Sequence, residues 1–227
     1  MILNRTIDSY HFGFTLGLTE SQLLTLTGLF HQPKPAGVSP LDGRTAVTPV
    51  QLDGVGPVVI KHYRRGGLLR HVIKRHYLKI GKTRSQREFE LLDLAASSGI
   101  NVPQPIAYAH RGRPFYMAWL VTRAIRQPLT LARLSVQDEK KCTAAMQSVI
   151  EQIAALIQND IWHVDLHPGN VVLDAAGKVH LLDFDQGRIG HANRQQLKNR
   201  YLTRWQRAVD KHGLPKVLSA MMRNGLK

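Results

Sequence analysis

Residues 161–187 read IWHVDLHPGNVVLDAAGKVHLLDFDQG, and this stretch decides how the rest of the sequence is interpreted. Short apolar runs at residues 171–173 and 179–182 flank a glycine-containing turn at residues 174–178, which predicts a β-hairpin. A hairpin folds its two ends back side by side. We therefore expect the residues just before the first strand to meet the residues just after the second.

Oxygen-bearing side chains stand at both ends of this hairpin. Asp165 and Asn170 precede the first strand, and Asp183 follows the second. Each of them alone could be an ordinary turn residue. Together with His163 they keep the order H-x-D-x-x-x-x-N followed by a second Asp, which is typical of the catalytic loop and metal-binding triplet of kinases. In that interpretation Asp165 accepts the proton of the attacking hydroxyl. Asn170 and Asp183 hold Mg²⁺, a hard ion that takes few protein oxygens and leaves the rest to water and phosphate.

A lysine and a glutamate in the first half of the chain are the expected nucleotide contacts. Residues 58–63 (VVIKHY) predict a strand that carries Lys61, the candidate for binding the α and β phosphates of ATP. The pattern SQRE, which ends at Glu88, predicts a capping box at the start of a helix, and we expect Glu88 to pair with Lys61. Glu90 is the alternative partner. The loop that would cover the phosphates falls at residues 37–45, which contain no G-x-G-x-x-G pattern.

The order of the predicted elements favours an α+β, protein-kinase-like fold with two lobes. We expect an antiparallel sheet with one main helix in the N-terminal lobe, residues 1–122. The C-terminal lobe, residues 123–227, is expected to be reduced and mainly helical, with a long amphipathic helix at residues 138–158. The stretch after Asp185 is short and has no A-P-E triplet, so a small or lipid-borne hydroxyl is the expected acceptor rather than a peptide.

The net charge of +15 on the 227-residue chain is concentrated in two basic zones. Residues 61–87 contain ten Lys or Arg and no acid, and residues 186–227 contain ten against Asp210 alone. Such zones favour a polyanionic partner. They lack the aromatic interleaving and the motifs of nucleic-acid-binding modules, so we expect an anionic lipid or membrane surface and no nucleic acid.

Cysteine content and hydropathy limit the expected cellular location of the protein. Cys142 is the only cysteine, which excludes an intrachain disulfide and suits a reducing cytoplasm. No apolar run approaches the length of a membrane span or of a signal-peptide core. The expected location is cytoplasmic, with association to a membrane surface left open.

Further motifs carry a resemblance to a known family. They are HYRRGGLL at residues 62–69, R-x-x-x-E-F-x-L-L at residues 84–92 and V-P-x-P at residues 102–105, besides the D-L-x-x-x-N and D-F-D of the catalytic stretch. With them the sequence resembles the lipopolysaccharide-core kinases, and within that family the group that acts on Kdo (3-deoxy-D-manno-octulosonic acid). The resemblance implies a protein-kinase-like fold and ATP-dependent phosphorylation of a Kdo hydroxyl on lipid A. It also implies Asp165 as the base and a peripheral location on the cytoplasmic face of the inner membrane.

Two positions depart from the protein-kinase pattern. His167 stands where protein kinases have a Lys that contacts the transferred phosphate, and Asp185 replaces the Gly of D-F-G, as in the lipopolysaccharide kinases. An acceptor that bears lipid phosphates and sugar carboxylates would account for the basic zones. Arg64 and Arg65 are the candidates to bind it.

Other functions remain open from the sequence. The chain could phosphorylate another core sugar such as heptose, or an unrelated small molecule. It could also be a catalytically silent kinase-like scaffold that binds anionic lipid or RNA. The combined presence of Lys61, Glu88, Asp165, Asn170 and Asp183 favours an enzyme, a phosphotransferase with an alcohol group as acceptor.

Overall fold

The fold is taken from a computed structural model, which describes residues 2–15, 17–31, 49–63, 77–78, 81–190 and 193–226. Arg64, Arg65 and the expected phosphate-covering loop at residues 37–45 lie outside the described residues. The described chain forms two compact units. The first takes in the part up to residue 93 together with residues 104–124, and the second takes in residues 94–103 and the part from residue 125 onward. The predicted lobe boundary between residues 122 and 123 stays a prediction.

An antiparallel sheet makes up most of the first unit, because its sequence alternates turns with apolar, β-branched and aromatic runs. The strands are β1 (Leu3–Ile7), β2 (Tyr10–Phe14), β3 (Val50–Leu52), β4 (Gly56–His62), β5 (Tyr77–Leu78), β6 (Pro105–Arg111) and β7 (Phe115–Arg123). Their order is β1-β2-β6-β7-β4-β3, and β5 pairs with the start of β7. Trp119 at the centre of β7 is fully buried and stacks on Phe30 with ring centroids 4.7 Å apart. In this order β4, the strand that carries Lys61, lies between β7 and β3.

Helix α1 (Glu20–Leu29) begins where the sequence indicates. The Thr19 hydroxyl accepts from the Gln22 backbone N–H, and the Gln22 side-chain oxygen accepts from the Thr19 N–H at 2.9 Å. These bonds satisfy two of the backbone donors that a helix start leaves open. Leu23 and Leu26 are then buried in the core of the sheet.

Helix α2 (Arg84–Ser97) begins two residues earlier than the SQRE pattern predicted, so the prediction of Ser85 as the cap was wrong. The Thr83 hydroxyl accepts from the Gln86 backbone N–H at 3.2 Å. The hydroxyl of Ser85 is buried and donates to the Ala109 carbonyl of β6 at 3.3 Å. Because both residues carry a hydroxyl, the local sequence does not distinguish them, and packing against β6 decides.

The second unit is mainly helical. Its helices are α3 (Leu131–Gln137), α4 (Glu139–Gln158), α5 (Arg194–Lys211) and α6 (Val217–Gly225), and its short strands are β8 (Leu129–Thr130), β9 (Ile161–Trp162), β10 (Val171–Leu173), β11 (Val179–Leu181) and β12 (Arg188–Ile189). Asp138 caps α4, since its Oδ1 accepts from the Lys141 N–H at 2.9 Å. Burial raises the pKa of the Cys142 thiol to about 11, so this cysteine packs in the core as an inert side chain.

The predicted α+β class is confirmed: an antiparallel sheet with helices in one unit, and mostly helices in the other. Among the described residues, no helix has both the length and the apolar character needed to cross a bilayer.

Candidate active site

The hairpin of the second unit forms as predicted, with β10 and β11 paired antiparallel. Asp174 closes its turn, because Oδ1 accepts from the backbone N–H groups of Ala176 and Lys178 at 2.9 Å each. Its Oδ2 lies 3.1 Å from His180 Nε2, and this contact lowers the pKa of Asp174. The turn is therefore fixed by its own side chain, and the register of the hairpin follows from it.

Three of the predicted site residues come together at the open end of this hairpin. The Leu182 N–H donates to the Asn170 carbonyl at 2.8 Å, which brings Asp183, the next residue, beside the start of β10. Asn170 is buried in a 3₁₀ turn at Pro168–Asn170, and its Nδ2 donates to the Asp165 carbonyl at 2.8 Å. The side chain of Asn170 thus joins the loop that carries Asp165 to the hairpin.

Asn170 and Asp183 fit a Mg²⁺ ion by the chemistry of their donors, a carboxamide and a carboxylate oxygen. Asn170 donates its Nδ2 to the Asp165 carbonyl, and its Oδ1 is the atom of this side chain that would bind the ion. Asp183 has a left-handed backbone, φ +69°, a conformation that Asp tolerates better than most residues. In the described part of the chain no three His, Cys, Asp or Glu side chains group into a metal site by themselves. Such a pair would leave room for the phosphate oxygens of a nucleotide.

His163 is a buried residue that holds the catalytic loop in place and takes no part in the chemistry. It is buried, its Nε2 lies 2.7 Å from the Leu182 carbonyl, and its ring packs edge-on against Phe184 with centroids 4.5 Å apart. Its backbone N–H donates to the Tyr201 hydroxyl at 2.8 Å, and that hydroxyl donates to the Ile161 carbonyl at 2.7 Å. The loop before the hairpin is therefore bonded both to Leu182, the residue that follows β11, and to α5.

The imidazole of His163 is neutral at physiological pH. Burial lowers its pKa to about 4, and this outweighs the opposing effects of the Leu182 carbonyl and of the charges on Asp183 and Asp165. Since a carbonyl can only accept, the proton of the neutral ring is on Nε2.

Asp165 is the exposed member of the set, with 53% of its side chain accessible. Its Oδ1 accepts from Arg204 Nε at 2.9 Å and also from Arg204 Nη2. Its Oδ2 lies 3.9 Å from His167 Nε2, beyond hydrogen-bonding distance. His167 Nδ1 accepts from the Gly169 N–H at 3.1 Å, so a neutral His167 carries its proton on Nε2. Oδ1 of Asp165 is thus held by Arg204, whereas Oδ2 lies near His167 Nε2 at a distance too long for a hydrogen bond.

Lys61 and Glu88 form the predicted ion pair in the first unit. Lys61 Nζ lies 2.7 Å from Oε2 and 2.9 Å from Oε1 of Glu88, whose side chain is only 3% exposed. The Tyr63 hydroxyl donates to the same carboxylate. Glu90, the alternative partner, bonds Lys82 Nζ at 2.7 Å instead. The contact is present as predicted, and its role toward a nucleotide stays a prediction.

Sequence reasoning missed Arg204. Leu197, Tyr201 and Trp205 form a buried stripe on α5. Arg204 falls outside that stripe and is one of ten Lys or Arg in the basic zone at residues 186–227, so the sequence did not single it out. Its spacing on the helix could not reveal that α5 lies beside the catalytic loop, because that placement depends on the Tyr201 hydroxyl and its bonds to residues 161 and 163.

Comparison with known proteins decides the family. The sequence model of the "Lipopolysaccharide kinase (Kdo/WaaP) family" matches residues 37–220. The chain belongs to this family. All five predicted site residues lie inside the matched region.

Individual relatives of this lipopolysaccharide kinase family member bear related names. The chain is 35% identical over 147 residues to a 3-deoxy-D-manno-octulosonic acid kinase of Vibrio vulnificus, covering 63% of this chain and 61% of the relative. It is 30% identical over 160 residues to one of Vibrio cholerae, covering 68% of each. The chain therefore spans about three fifths of the length of its first relatives.

A solved structure with a similar chain trace is the crystal structure of the yeast RNA Pol II CTD kinase CTDK-1 complex. The TM-score is 0.45 at 15% sequence identity, and the match covers 71% of this chain and 49% of that one. The family, together with a Lys-bearing strand, a Glu-bearing helix and a hairpin that carries Asp165, Asn170 and Asp183, agrees with the predicted protein-kinase-like fold.

Proposed function

We propose that the chain is an ATP-dependent kinase that phosphorylates a Kdo hydroxyl on lipid A during lipopolysaccharide core biosynthesis. The observation that carries this is the convergence of Asp165, Asn170 and Asp183 at the open end of one hairpin, in a member of the lipopolysaccharide kinase family. The choice of Kdo rests on the names of the relatives in Vibrio vulnificus and Vibrio cholerae.

Asp165 acts as the general base. Its exposed carboxylate accepts the proton of the sugar hydroxyl as the hydroxyl oxygen bonds to the terminal phosphorus of ATP, and ADP leaves with the electrons of the bond that breaks. Arg204 on Oδ1 orients the carboxylate and leaves Oδ2 as the oxygen that faces the acceptor.

Asn170 and Asp183 are the residues that would hold Mg²⁺. When bound, the ion neutralises charge on the phosphate oxygens and orients them for transfer. The hydrogen bond from Asn170 to the Asp165 carbonyl then fixes base and metal ligand relative to each other, so the loop presents both in one arrangement.

Lys61 binds nucleotide phosphate in the first unit, and Glu88 positions its ammonium group. The buried carboxylate keeps Lys61 at one place because a neutral or displaced lysine would leave Glu88 uncompensated. A fixed ammonium loses little side-chain entropy when it binds phosphate.

The distribution of charge supports the proposed acceptor and location. Residues 186–227 carry a net charge of +9, since they contain ten Lys or Arg and one acid, Asp210. This supports an anionic glycolipid such as Kdo-lipid A as partner, and a peripheral site on the anionic cytoplasmic face of the inner membrane.

Mass analysis of Kdo-lipid A after incubation with the protein, ATP and Mg²⁺ tests the proposal. We expect the mass of one added phosphoryl group. The matched control is Asp183→Asn, which removes the negative charge of one proposed metal ligand with little change of shape, and which should fold normally and give no product. An unmodified acceptor would overturn the choice of Kdo, and heptose-bearing acceptors assayed in parallel would then identify the sugar.

Thermal shift separates an enzyme from a silent scaffold. ATP should raise the melting temperature only when Mg²⁺ is present, because Asn170 and Asp183 bind the nucleotide through the ion. The Asp183→Asn variant should lose that shift. A shift that is the same without Mg²⁺ would contradict the metal assignment.

A further inference from the structure

Tyr63 is a buried residue of the first unit that contacts both members of the Lys61–Glu88 ion pair. Its hydroxyl donates to Oε2 of Glu88, the same carboxylate oxygen that lies 2.7 Å from Lys61 Nζ. The Lys61 ammonium group also lies 5.1 Å from the centroid of the Tyr63 ring, within the range of a cation–π interaction. One side chain therefore holds the acid through its hydroxyl and the cation through its ring.

The backbone of Tyr63 is held by the sheet. Tyr63 directly follows β4, and its N–H donates to the Ala118 carbonyl of β7 at 3.0 Å, which continues the pairing of these two strands by one residue. Side chains two residues apart along a strand point to the same face of the sheet. Lys61 and Tyr63 therefore both reach the carboxylate of Glu88 on α2.

The first turn of α2 packs against the same ring. Arg84 lies four residues before Glu88, on the same face of the helix, and its guanidinium lies 5.7 Å from the centroid of the Tyr63 ring. The backbone N–H of Arg84 donates to the Tyr116 hydroxyl of β7 at 3.1 Å. The position of the Tyr63 ring is therefore defined by the strand that carries Lys61 and by the helix that carries Glu88.

The buried carboxylate of Glu88 needs hydrogen-bond donors in every state of the site. Its side chain is 3% exposed, and a buried carboxylate is costly unless it is paired and hydrogen-bonded. An ammonium group that also binds a nucleotide phosphate has to divide its three N–H donors between the phosphate and Glu88. A phenol hydroxyl on Oε2 has no such second partner to serve, and it can stay on Glu88 while Lys61 turns toward the phosphate.

We propose that Tyr63 is a positioning residue of the nucleotide site. Its hydroxyl keeps the Glu88 carboxylate hydrogen-bonded, and its ring keeps the Lys61 ammonium group in position before a nucleotide binds. The proposal rests on the proposed function, because it concerns how Lys61 binds the phosphates of ATP. Tyr63 acts through Lys61 and takes no part in phosphoryl transfer.

Binding titrations of Tyr63→Phe with ATP, ADP and adenosine, each in the presence of Mg²⁺, test this role. The variant keeps the ring and loses the hydroxyl, so Kd for ATP and for ADP should rise about fivefold, as expected when part of one charged hydrogen bond is lost. Adenosine has no phosphate, and its Kd should change less than about twofold. An equal loss of affinity for adenosine would mean a general distortion of the first unit and would overturn the positioning role.

The matched control is Tyr108→Phe. Tyr108 is 4% exposed on β6 of the same unit, and its hydroxyl donates to Asn4 Oδ1 at 3.3 Å and not to Glu88. This variant should bind all three ligands as the wild type does, and equal losses in the two phenylalanine variants would overturn the proposal. Tyr63→Leu, which removes the ring as well, should bind ATP more weakly than Tyr63→Phe. Equal affinities of these two variants would refute the part assigned to the ring.

A double-mutant cycle shows whether Tyr63 acts through Lys61. In the Lys61→Met background, Tyr63→Phe should weaken ATP binding by less than about a further twofold, because the ammonium group that it positions is already gone. If Tyr63→Phe lowers the affinity by the same factor with and without Lys61, the hydroxyl acts independently of the lysine and the proposal is refuted.

Failure of this role and failure of the proposed function give different results. Wild-type affinity for ATP in Tyr63→Phe, with transfer to Kdo-lipid A intact, would refute the role of Tyr63 and leave the kinase standing. If the wild type transfers no phosphate to Kdo-lipid A but Tyr63→Phe loses affinity for ATP as expected, the acceptor is refuted and the role of Tyr63 is supported. Absence of Mg²⁺-dependent ATP binding by the wild type would refute both.

Discussion

The ion pair Lys61–Glu88 of the first unit has a buried carboxylate, whereas the ion pair Arg204–Asp165 of the second unit has an exposed one. Glu88 is 3% exposed and receives hydrogen bonds from both Lys61 and Tyr63. Asp165 is 53% exposed, and Arg204 is 36% exposed. A buried carboxylate cannot exchange its cation for water, whereas an exposed one can.

This difference matches the two proposed roles. A phosphate-binding lysine has to be in place before the nucleotide arrives, and the buried Glu88 keeps it there. A general base has to meet a hydroxyl that arrives and leaves in each cycle, and an exposed carboxylate held on one oxygen allows this. Burial of the acid therefore distinguishes an ion pair that fixes a residue from one that can open.

The largest effect is expected for the base itself. Asp165→Asn should reduce kcat by about 10²–10⁴-fold, the usual contribution of general base catalysis, while KM for ATP changes little. Because Asp165 is exposed, the melting temperature should stay close to that of the wild type. A variant with near wild-type kcat would show that Asp165 is not the base.

The pH dependence of the free energy of unfolding should test whether the buried His163, in the same loop as the exposed Asp165, is held neutral. His163 is neutral in the fold, with a pKa of about 4 against 6.5 for a free imidazole, so the unfolded chain gains a proton first as the pH falls. Its contribution to stability is complete above pH 6.5 and is lost as the pH falls toward 4, by about 3 kcal/mol in all.

The measurement is urea unfolding of the wild type and of His163→Asn across that pH window. The wild type should lose more free energy of unfolding than the variant on acidification. Parallel pH profiles for the two proteins would mean that His163 is not held neutral by burial.

Lys61→Met should lower the free energy of unfolding by about 2 kcal/mol, because it leaves the buried carboxylate of Glu88 without its cation. Lys82→Met is the matched control: the same substitution breaks a pair of the same 2.7 Å length, between side chains 59% and 27% exposed. That control should cost less than about 1 kcal/mol. Equal losses in chemical denaturation would show that burial of the acid does not make one pair more stabilising than the other.

The smallest effect is expected for the exposed pair. Arg204→Gln should change the free energy of unfolding by less than about 1 kcal/mol, since both partners return to water. Denaturant unfolding at low and high salt checks this, and the difference between the two proteins should shrink as salt rises. A loss as large as that of Lys61→Met would place Arg204 among the structural residues.

The sequence predicted the parts of the site that depend on neighbours along the chain. The hairpin follows from the alternation of apolar runs with the turn at Asp174, and Asn170 and Asp183 come together because they flank it. The Lys61–Glu88 pair spans two elements, but its motif was recognisable. The placement of Arg204 beside Asp165 depends on how α5 packs, which the pattern of apolar residues along the helix does not specify. The cap of α2 was wrong for the same reason, because burial of Ser85 against β6 is a tertiary effect.

The hydroxyl of Tyr201 makes the packing of α5 measurable by hydrogen exchange. The His163 amide donates its proton to this side chain on α5 and not to a neighbouring strand, so deuterium can replace that proton only when the helix lifts away from the loop. The exchange rate of the His163 amide therefore reports how often α5 separates from the loop at residues 161–163.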